Sequence, residues 1–390
     1  MILKSLIFQN FRNYFKKEFG FSSRANLIVG PNSAGKTNIL EAIYFLASGK
    51  SFRVKGVESE TIRYGAEISR VVGSAFAEAT ADKEIGDIGG NKGETKLEIV
   101  LTRGEIAGEK TAKKKYLVNG VGKRAFDFVG NLRAVYFGPE DLELVTDSPS
   151  LRRKYLDMVL SQVDREYARA SLSYEKGLRS RNKILEEMRE IGVVDRRRLY
   201  FWDQLLVKNG NIVSEGRKDF INFLNAREEF EVRHPPVDGA DERFEMEYDS
   251  SAISEERLAK YGNEEIAAGM TLVGPHRDDF KIRIIPNDQK NPNYPEQQGR
   301  DLSIYGSRGE QRLAILWLKL GETNFIKEKT DDFPVLLLDD IFSELDIEHR
   351  KLVFDLINDQ QTIMTTADLG MVEKEWLKGV KMIELTRSAD

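Results

Sequence analysis

The segment Gly30-Pro31-Asn32-Ser33-Ala34-Gly35-Lys36-Thr37 fits the pattern G-x-x-x-x-G-K-[ST]. It follows an apolar run, Ala25-Asn26-Leu27-Ile28-Val29, and precedes Ile39, Leu40, Ile43 and Leu46 at helical spacing. Strand, glycine-bounded loop and helix, in that order, form the setting a P-loop requires, and a chance match in a glycine-rich turn lacks it. The pattern commits the chain to an α/β core, with a helix expected from about Lys36 to Leu46. The loop's backbone N–H groups and the positive end of that helix surround phosphates, Lys36 reaches the outer phosphates, and the Thr37 hydroxyl suits Mg²⁺.

A P-loop needs a carboxylate at the carboxyl edge of the sheet to hold its metal. Val335-Leu336-Leu337-Leu338-Asp339-Asp340 supplies it: an almost wholly apolar run, as befits a parallel strand covered on both faces, ending in two acids. Asp339 is assigned to Mg²⁺. Asp340 is the candidate to orient or deprotonate the attacking water, with a helix-capping role as the alternative. Thr362-Ile363-Met364-Thr365 is the expected neighbouring strand. Ser307-Arg308-Gly309-Glu310-Gln311 precedes an apolar helix expected from about Gly309 to Lys327. Alone it reads as an ordinary helix start, with serine as cap and an acid in the first turn. Its significance comes from order: P-loop, this signature-like motif, acidic strand, then Ser343-Glu344-Leu345-Asp346 in the place of a D-loop succeed one another as in ABC ATPases.

A chain of 390 residues calls for two lobes. Between about 70 and 125, short apolar segments separated by turns at Gly89-Gly90 and Asn119-Gly120 read as an antiparallel meander. Lys113-Lys114-Lys115 lies there, as a lysine-guarded strand edge or a DNA contact. No proline occurs between Pro149 and Pro235, and charged residues interleave with Leu, Ile, Tyr and Met as in amphipathic helices, without heptads regular enough for a long coiled coil. His234-Pro235-Pro236 to Asp241 reads as a turn back to the first lobe, and Met270-Thr271-Leu272-Val273 as a strand. The fold expected is an ABC/SMC-type P-loop head of class α/β, residues 1–149 and 265–390, with an antiparallel β subdomain and a mainly helical insertion over 150–264.

The absence of cysteine excludes disulfides and thiolate metal sites, and with only three scattered histidines a zinc site is not expected. No stretch is long and apolar enough to span a bilayer, so the cytoplasm is the expected compartment. A net charge of −5 means that any nucleic-acid contact must come from a local patch.

Beyond the superfamily, the chain resembles the RecF family of bacterial recombination-repair proteins over nearly its whole length. The resemblance is carried by Leu3-Lys4-Ser5-Leu6 with Asn10-Phe11-Arg12-Asn13-Tyr14, Gly30 to Asn38 with Leu40-Glu41-Ala42, Lys50-Ser51-Phe52-Arg53 and Pro139-Glu140-Asp141-Leu142. Further segments are Arg152-Arg153-Lys154-Tyr155-Leu156-Asp157, Thr271-Leu272-Val273-Gly274-Pro275-His276-Arg277-Asp278-Asp279 and Asp339 to Asp346. It implies a short helical arm in place of the long SMC coiled coil, an ATP-dependent homodimer, and weak DNA-stimulated ATP hydrolysis. It also implies action at single-strand gaps or single-strand/double-strand junctions, where RecF works with RecO and RecR to help load RecA. The implied nucleotide contacts are Gly30, Pro31, Asn32, Ser33, Ala34, Gly35, Lys36, Thr37 and Asn38, with Arg12 from the first turn, and Ser307, Gly309 and Glu310 acting on the ATP of another subunit. Arg12 reads equally as a surface arginine. Ser33 stands where such loops usually carry glycine, Thr365-Thr366 where transporters carry a switch histidine, and Asp340 is one methylene shorter than the transporter glutamate; the last two suggest slow turnover.

His276-Arg277-Asp278-Asp279 is read as a structural charge network, and Arg152, Arg153 and Lys154 as a solvated helix face or a DNA-backbone contact. Two other functions compete. In a transporter's nucleotide-binding subunit the signature follows the P-loop by roughly a hundred residues; here about 270 separate Gly35 from Ser307. An SMC-like scaffold in which ATP works a long rod needs more chain than the insertion offers, whereas a non-hydrolysing SMC-like ATP-dependent scaffold without that rod stays open as the alternative.

Overall fold

The structure is a computed structural model. It describes residues 1–54, 56–76, 93–226, 242–286, 299–341, 350, 353, 359–371, 377 and 379–386. The chain forms two compact units, Met1–Asp141 with Glu322–Asp390, and Leu142–Gly321.

The first unit is built on two sheets. Five parallel strands run in the order Ala134–Phe137, Val335–Asp339, Thr362–Thr366, Ala25–Val29, Lys381–Glu384. Every residue of Val335–Asp339 and Thr362–Thr366 is buried, the reason these strands are nearly devoid of charge until their ends. Register decides what meets at the carboxyl edge. Asp339 pairs with Thr365 and Thr366 with Val29, so the acidic strand end, the Thr365-Thr366 pair and the start of the P-loop come level.

Six antiparallel strands form the second sheet, in the order Tyr14–Gly20, Ile2–Phe11, Ile68–Phe76, Thr95–Thr102, Lys114–Val118, Val121–Lys123. The expected meander is present. Asn119 and Gly120 take φ of 51° and 77°, the left-handed pair of a two-residue hairpin turn; the Gly89-Gly90 turn lies outside the described residues. Helix Lys36–Ser48 packs against strands of both sheets, which is why it is buried nearly all round rather than along one stripe. A Cβ on Gly73 would come within 2.6 Å of Leu46 Cδ1, so glycine lets this helix approach the antiparallel sheet.

Lys114 fits neither reading of the lysine run. Its ammonium pairs with Glu58 at 2.5 Å, donates to the Gly49 carbonyl that ends the P-loop helix, and lies 4.5 Å from the centre of the Phe45 ring. Burial pushes its pKa down to about 8 against the pull of Glu58. Its neighbours Lys113 and Lys115 are exposed.

In the second unit, helices Pro149–Val163, Arg165–Ile191 and Tyr200–Asn225 realise the helical insertion. Asp164 caps the second, accepting from Glu166 N and Tyr167 N, and Gly192 at φ 73° closes it. The same unit holds a three-stranded sheet, Glu242–Asp249, Asp279–Pro286 and Arg300–Asp301. The His234–Asp241 turn lies outside the described residues.

Two expectations change. Met270–Val273 is not a strand: Thr271 N donates to Asn182 Oδ1 at 2.9 Å and Leu272 N to Glu265 Oε1 at 2.8 Å, so side chains take amides that a strand would have paired. Arg152 and Arg153 are not a solvated face. Arg152 forks onto Asp279 at 2.6 and 2.9 Å, and Arg153 donates to the Asp278 carbonyl at 2.7 Å. Those bonds belong to the charge network read around His276-Arg277-Asp278-Asp279.

Candidate nucleotide site

At the carboxyl edge of the parallel sheet, the first unit forms an open cavity of about 520 Å³. The P-loop lines it through Asn32, Ser33, Gly35, Lys36, Thr37 and Asn38, and Asp339 and Asp340 line it from the end of the acidic strand. Gly35 carries φ 97° as the residue before helix Lys36–Ser48. A side chain there would need a left-handed backbone, and its Cβ would fall 2.7 Å from Tyr14 Oη and 2.8 Å from Asn13 Nδ2. The glycine of the motif is thus fixed by the turn beneath it as well as by its own φ.

Lys36 Nζ donates to the carbonyls of Gly30 at 2.7 Å and Pro31 at 3.1 Å. Burial lowers its pKa, while Asp340 and Asp339 pull the other way. Asp339 is 5% exposed and accepts from a neighbouring hydroxyl. Thr365 Oγ1 donates to Oδ1 at 2.6 Å, and Tyr136 Oη lies 3.3 Å from Oδ2 while donating to Glu140 Oε2 at 2.8 Å. Burial, then Asp339 and Glu140, raise the Tyr136 pKa well above its ordinary value, so this phenol stays protonated as a donor. It stacks on Phe52 with ring centres 3.8 Å apart. Asp340 sits at φ 52°, its amide donating to Thr365 Oγ1 at 3.1 Å.

The donor set fits a polyphosphate with a divalent cation. The P-loop offers an ammonium, a hydroxyl and the first amides of a 13-residue helix; the acidic strand offers a buried carboxylate supported by a hydroxyl rather than by arginine.

Four of the lining side chains carry no assignment from the sequence. Asn13 and Arg53 form the rim, bridged by Asn38, which donates to Asn13 Oδ1 at 2.8 Å and accepts from Arg53 at 2.9 Å. Pro139 and Glu140 line the acidic side. Tyr136 and Thr365 act one step behind the wall. The available signal was register: Phe137 pairs with Leu338, which brings the residues just after each strand end to the same edge.

Arg12, in contrast, is absent from the cavity wall. Its guanidinium grips the fully buried Glu41 of the P-loop helix through Nε at 2.8 Å and through Nη2, and Ser51 Oγ adds a third donor at 2.5 Å. Arg12 therefore ties the turn at Asn10–Asn13 to the helix that carries Lys36.

The family profile described as RecF/RecN/SMC N terminal domain matches residues 2–388. A protein of Roseiflexus castenholzii described as DNA replication and repair protein RecF is 36% identical, covering 94% of this chain and 93% of its own length. The chain belongs to the RecF family. A RecF of Ligilactobacillus salivarius is 32% identical over 99% of this chain and 96% of its own. Among solved structures, the recombination mediator protein RecF-ATP in the RecFOR pathway is 32% identical, with a TM-score of 0.77 over 95% of this chain and 93% of that one.

The RecF signature-like motif lies in the second unit and opens helix Arg308–Thr330. Ser307 N donates to Glu310 Oε2 at 2.6 Å, and Glu310 N to Ser307 Oγ at 3.3 Å: a reciprocal capping box. Arg300 adds an ion pair at 2.5 Å. Burial would raise the Glu310 pKa, yet the bonds from Ser307 and Arg300 hold it below the usual value. A Cβ on Gly309 would meet nothing nearer than Ser307 Oγ at 3.9 Å, so local packing does not demand glycine there. Ser343–Asp346 lie outside the described residues. No helix among the described residues is long and apolar enough to cross a membrane.

Proposed function

We propose that this chain binds ATP with Mg²⁺ in the cavity between the P-loop and Asp339-Asp340, dimerises through ATP, hydrolyses it slowly, and binds gapped DNA or single-strand/double-strand junctions in the cytoplasm. The carrying observation is the convergence of Lys36, Thr37, Asp339 and Asp340 on one cavity at the sheet edge. The RecF-ATP and RecF-ATPrS structures, each covering 95% of this chain, support ATP as the nucleotide. RecR, RecO and RecA remain the partners proposed from the family. The proposed division of labour is a nucleotide-binding head, 1–149 with 265–390, and a helical lobe, 150–264; the compact unit that carries the helices reaches from Leu142 to Gly321 and takes in Ser307.

In this reading the P-loop amides and the helix N-terminus hold the phosphates, and Lys36 exchanges its two carbonyl partners for phosphate oxygens. Thr37 and Asp339 hold Mg²⁺, whose charge offsets that of the phosphates. Asp340 takes the proton of the attacking water or orients it. The motif Ser307, Gly309 and Glu310 presents its helix start to the nucleotide of a second copy, with Glu310 shaping that start through the capping box.

The test is DNA affinity at several salt concentrations, with and without ATP and Mg²⁺, on gapped and fully paired duplexes. Lys36→Ala should lose about 1.5–3 kcal/mol of ATP binding, roughly ten- to a hundredfold in Kd. ATP should tighten DNA binding for the natural protein and not for the variant. Failure to bind any DNA in any nucleotide state, with ATP still bound, would remove the DNA part of the proposal.

A further inference from the structure

We propose that Thr365 is a positioning residue of the nucleotide site, whose one hydroxyl sets both the Asp339 carboxylate and the Asp340 backbone; this rests on reading the cavity as a Mg²⁺-ATP site. The geometry uses that hydroxyl twice. Its proton goes to Asp339 Oδ1 at 2.6 Å, and its oxygen receives the Asp340 amide at 3.1 Å. A hydroxyl has one proton to give, so the direction of both bonds is fixed: an N–H can only donate, and Asp339 as carboxylate can only accept. Oδ1 is thereby committed, while the Tyr136 hydroxyl, whose own proton goes to Glu140, lies 3.3 Å from Oδ2.

The second bond matters because Asp340 is left-handed, φ 52°, a conformation that disfavours a side chain bearing Cβ. A polar acceptor waiting for its amide on the adjacent strand offsets that cost and aims the Asp340 side chain at the cavity it lines. Strand propensity does not explain the choice of threonine, since valine has the same branching and suits a fully buried central strand equally well. Thr362, buried on the same strand, provides the contrast: its hydroxyl makes a long bond of 3.4 Å to the Gln360 carbonyl and touches neither acid.

The experiment compares Thr365→Val, Thr365→Ser and Thr362→Val in the full chain. A fluorescent ATP analogue is titrated at increasing Mg²⁺, Mn²⁺ binding beside ATPγS is followed by electron paramagnetic resonance, and turnover is measured in parallel. Thr365→Val should raise the Mg²⁺ or Mn²⁺ needed for half-saturation about tenfold and slow turnover by a similar factor, the usual scale for a group that orients a metal ligand. Its affinity for nucleotide in EDTA should stay within about twofold, since the P-loop is untouched. Thr365→Ser should restore both quantities, and Thr362→Val should leave them at the natural level whatever it does to melting temperature. A natural metal requirement in Thr365→Val overturns the inference, as does a Thr365→Ser as impaired as valine, which would assign the effect to methyl packing. If Thr365→Val does not fold, Thr365→Ala decides by the same metal titration. Absence of any metal-dependent nucleotide binding in the natural protein would overturn the reading of the cavity, and this inference with it, before a variant is examined.

Discussion

Asp339-Asp340 and Asp278-Asp279 look alike as sequence and sit in opposite electrostatic settings. In the second unit, the fully buried Asp278 accepts from Arg217 Nη1 at 2.8 Å, Tyr248 Oη at 2.5 Å and Ser251 N at 2.7 Å, while Asp279 takes the fork of Arg152. Its charge is answered inside the fold. In the first unit, Asp339 accepts from the hydroxyl of Thr365, and Lys36 is turned toward two backbone carbonyls. Strain divides the same way. Seven non-glycine residues take positive φ among the described residues, including Arg12, Ser33 and Asp340, and all lie in the first unit. A carboxylate closed off by arginines holds a fold together; one supported by a neutral hydroxyl on a strained edge is left able to meet a cation.

The sharpest way to break this contrast is to delete a cation from the closed network. Arg217 is 3% exposed and serves Asp157, Asp278 and the Pro275 carbonyl. Arg217→Ala leaves two carboxylates short of their partner and should cost about 3–5 kcal/mol in chemical denaturation. Asp340→Asn, a change of charge at the open pair, should shift stability by less than about 0.5 kcal/mol. Equal losses would mean that both pairs are structural.

A second test uses pH. His276 bridges Tyr174 Oη, 2.8 Å from Nδ1, and the Thr271 carbonyl, 3.0 Å from Nε2. Burial lowers its pKa to about 4, with Arg277, Arg153 and Arg181 adding to the shift against the bond to Thr271. The folded pKa lies below the unfolded one, near 6.5, so unfolding takes up a proton between them. The associated stability is complete above about pH 6.5 and is lost as pH falls toward 4, on the order of 3 kcal/mol. His276→Gln should remove that part of the acid slope. An unchanged slope would place the acid sensitivity elsewhere.

The two regions were not equally legible. The P-loop, its helix and the two central strands announce themselves through local periodicity, because a buried parallel strand must be apolar and a helix must repeat every 3.6 residues. The capping box at Ser307 and Glu310 is likewise a four-residue signal. Glu140, Thr365, Asn13 and Arg53 reach the cavity through strand register and turn geometry, which no local window contains. The closed network is legible as a charge cluster at His276–Asp279, but its remote partners are not. Arg152 reads as one more charge on an amphipathic helix until Asp279, far along the chain, is placed beside it. Met270–Val273 misled for the same reason: its apolar letters suggest a strand, but Asn182 and Glu265 bring the competing acceptors from other elements.

The smallest effect tests the strain itself. Ser33 is exposed at φ 69° in the middle of the P-loop, where a residue with Cβ costs roughly 1–2 kcal/mol relative to its preferred region. Glycine would relieve this and lose about 0.5–1 kcal/mol through its greater freedom in the unfolded chain. Ser33→Gly should therefore raise stability by only about 0.5 kcal/mol, read as a small upward shift of the denaturation midpoint. ATP affinity should stay within about twofold, because the loop holds phosphate through backbone amides that the change leaves in place. A stability gain with intact binding identifies the strain as a cost the loop carries without using it. A clear loss of affinity would instead make the Ser33 hydroxyl a nucleotide contact, and the open site would then owe part of its strain to ligand recognition.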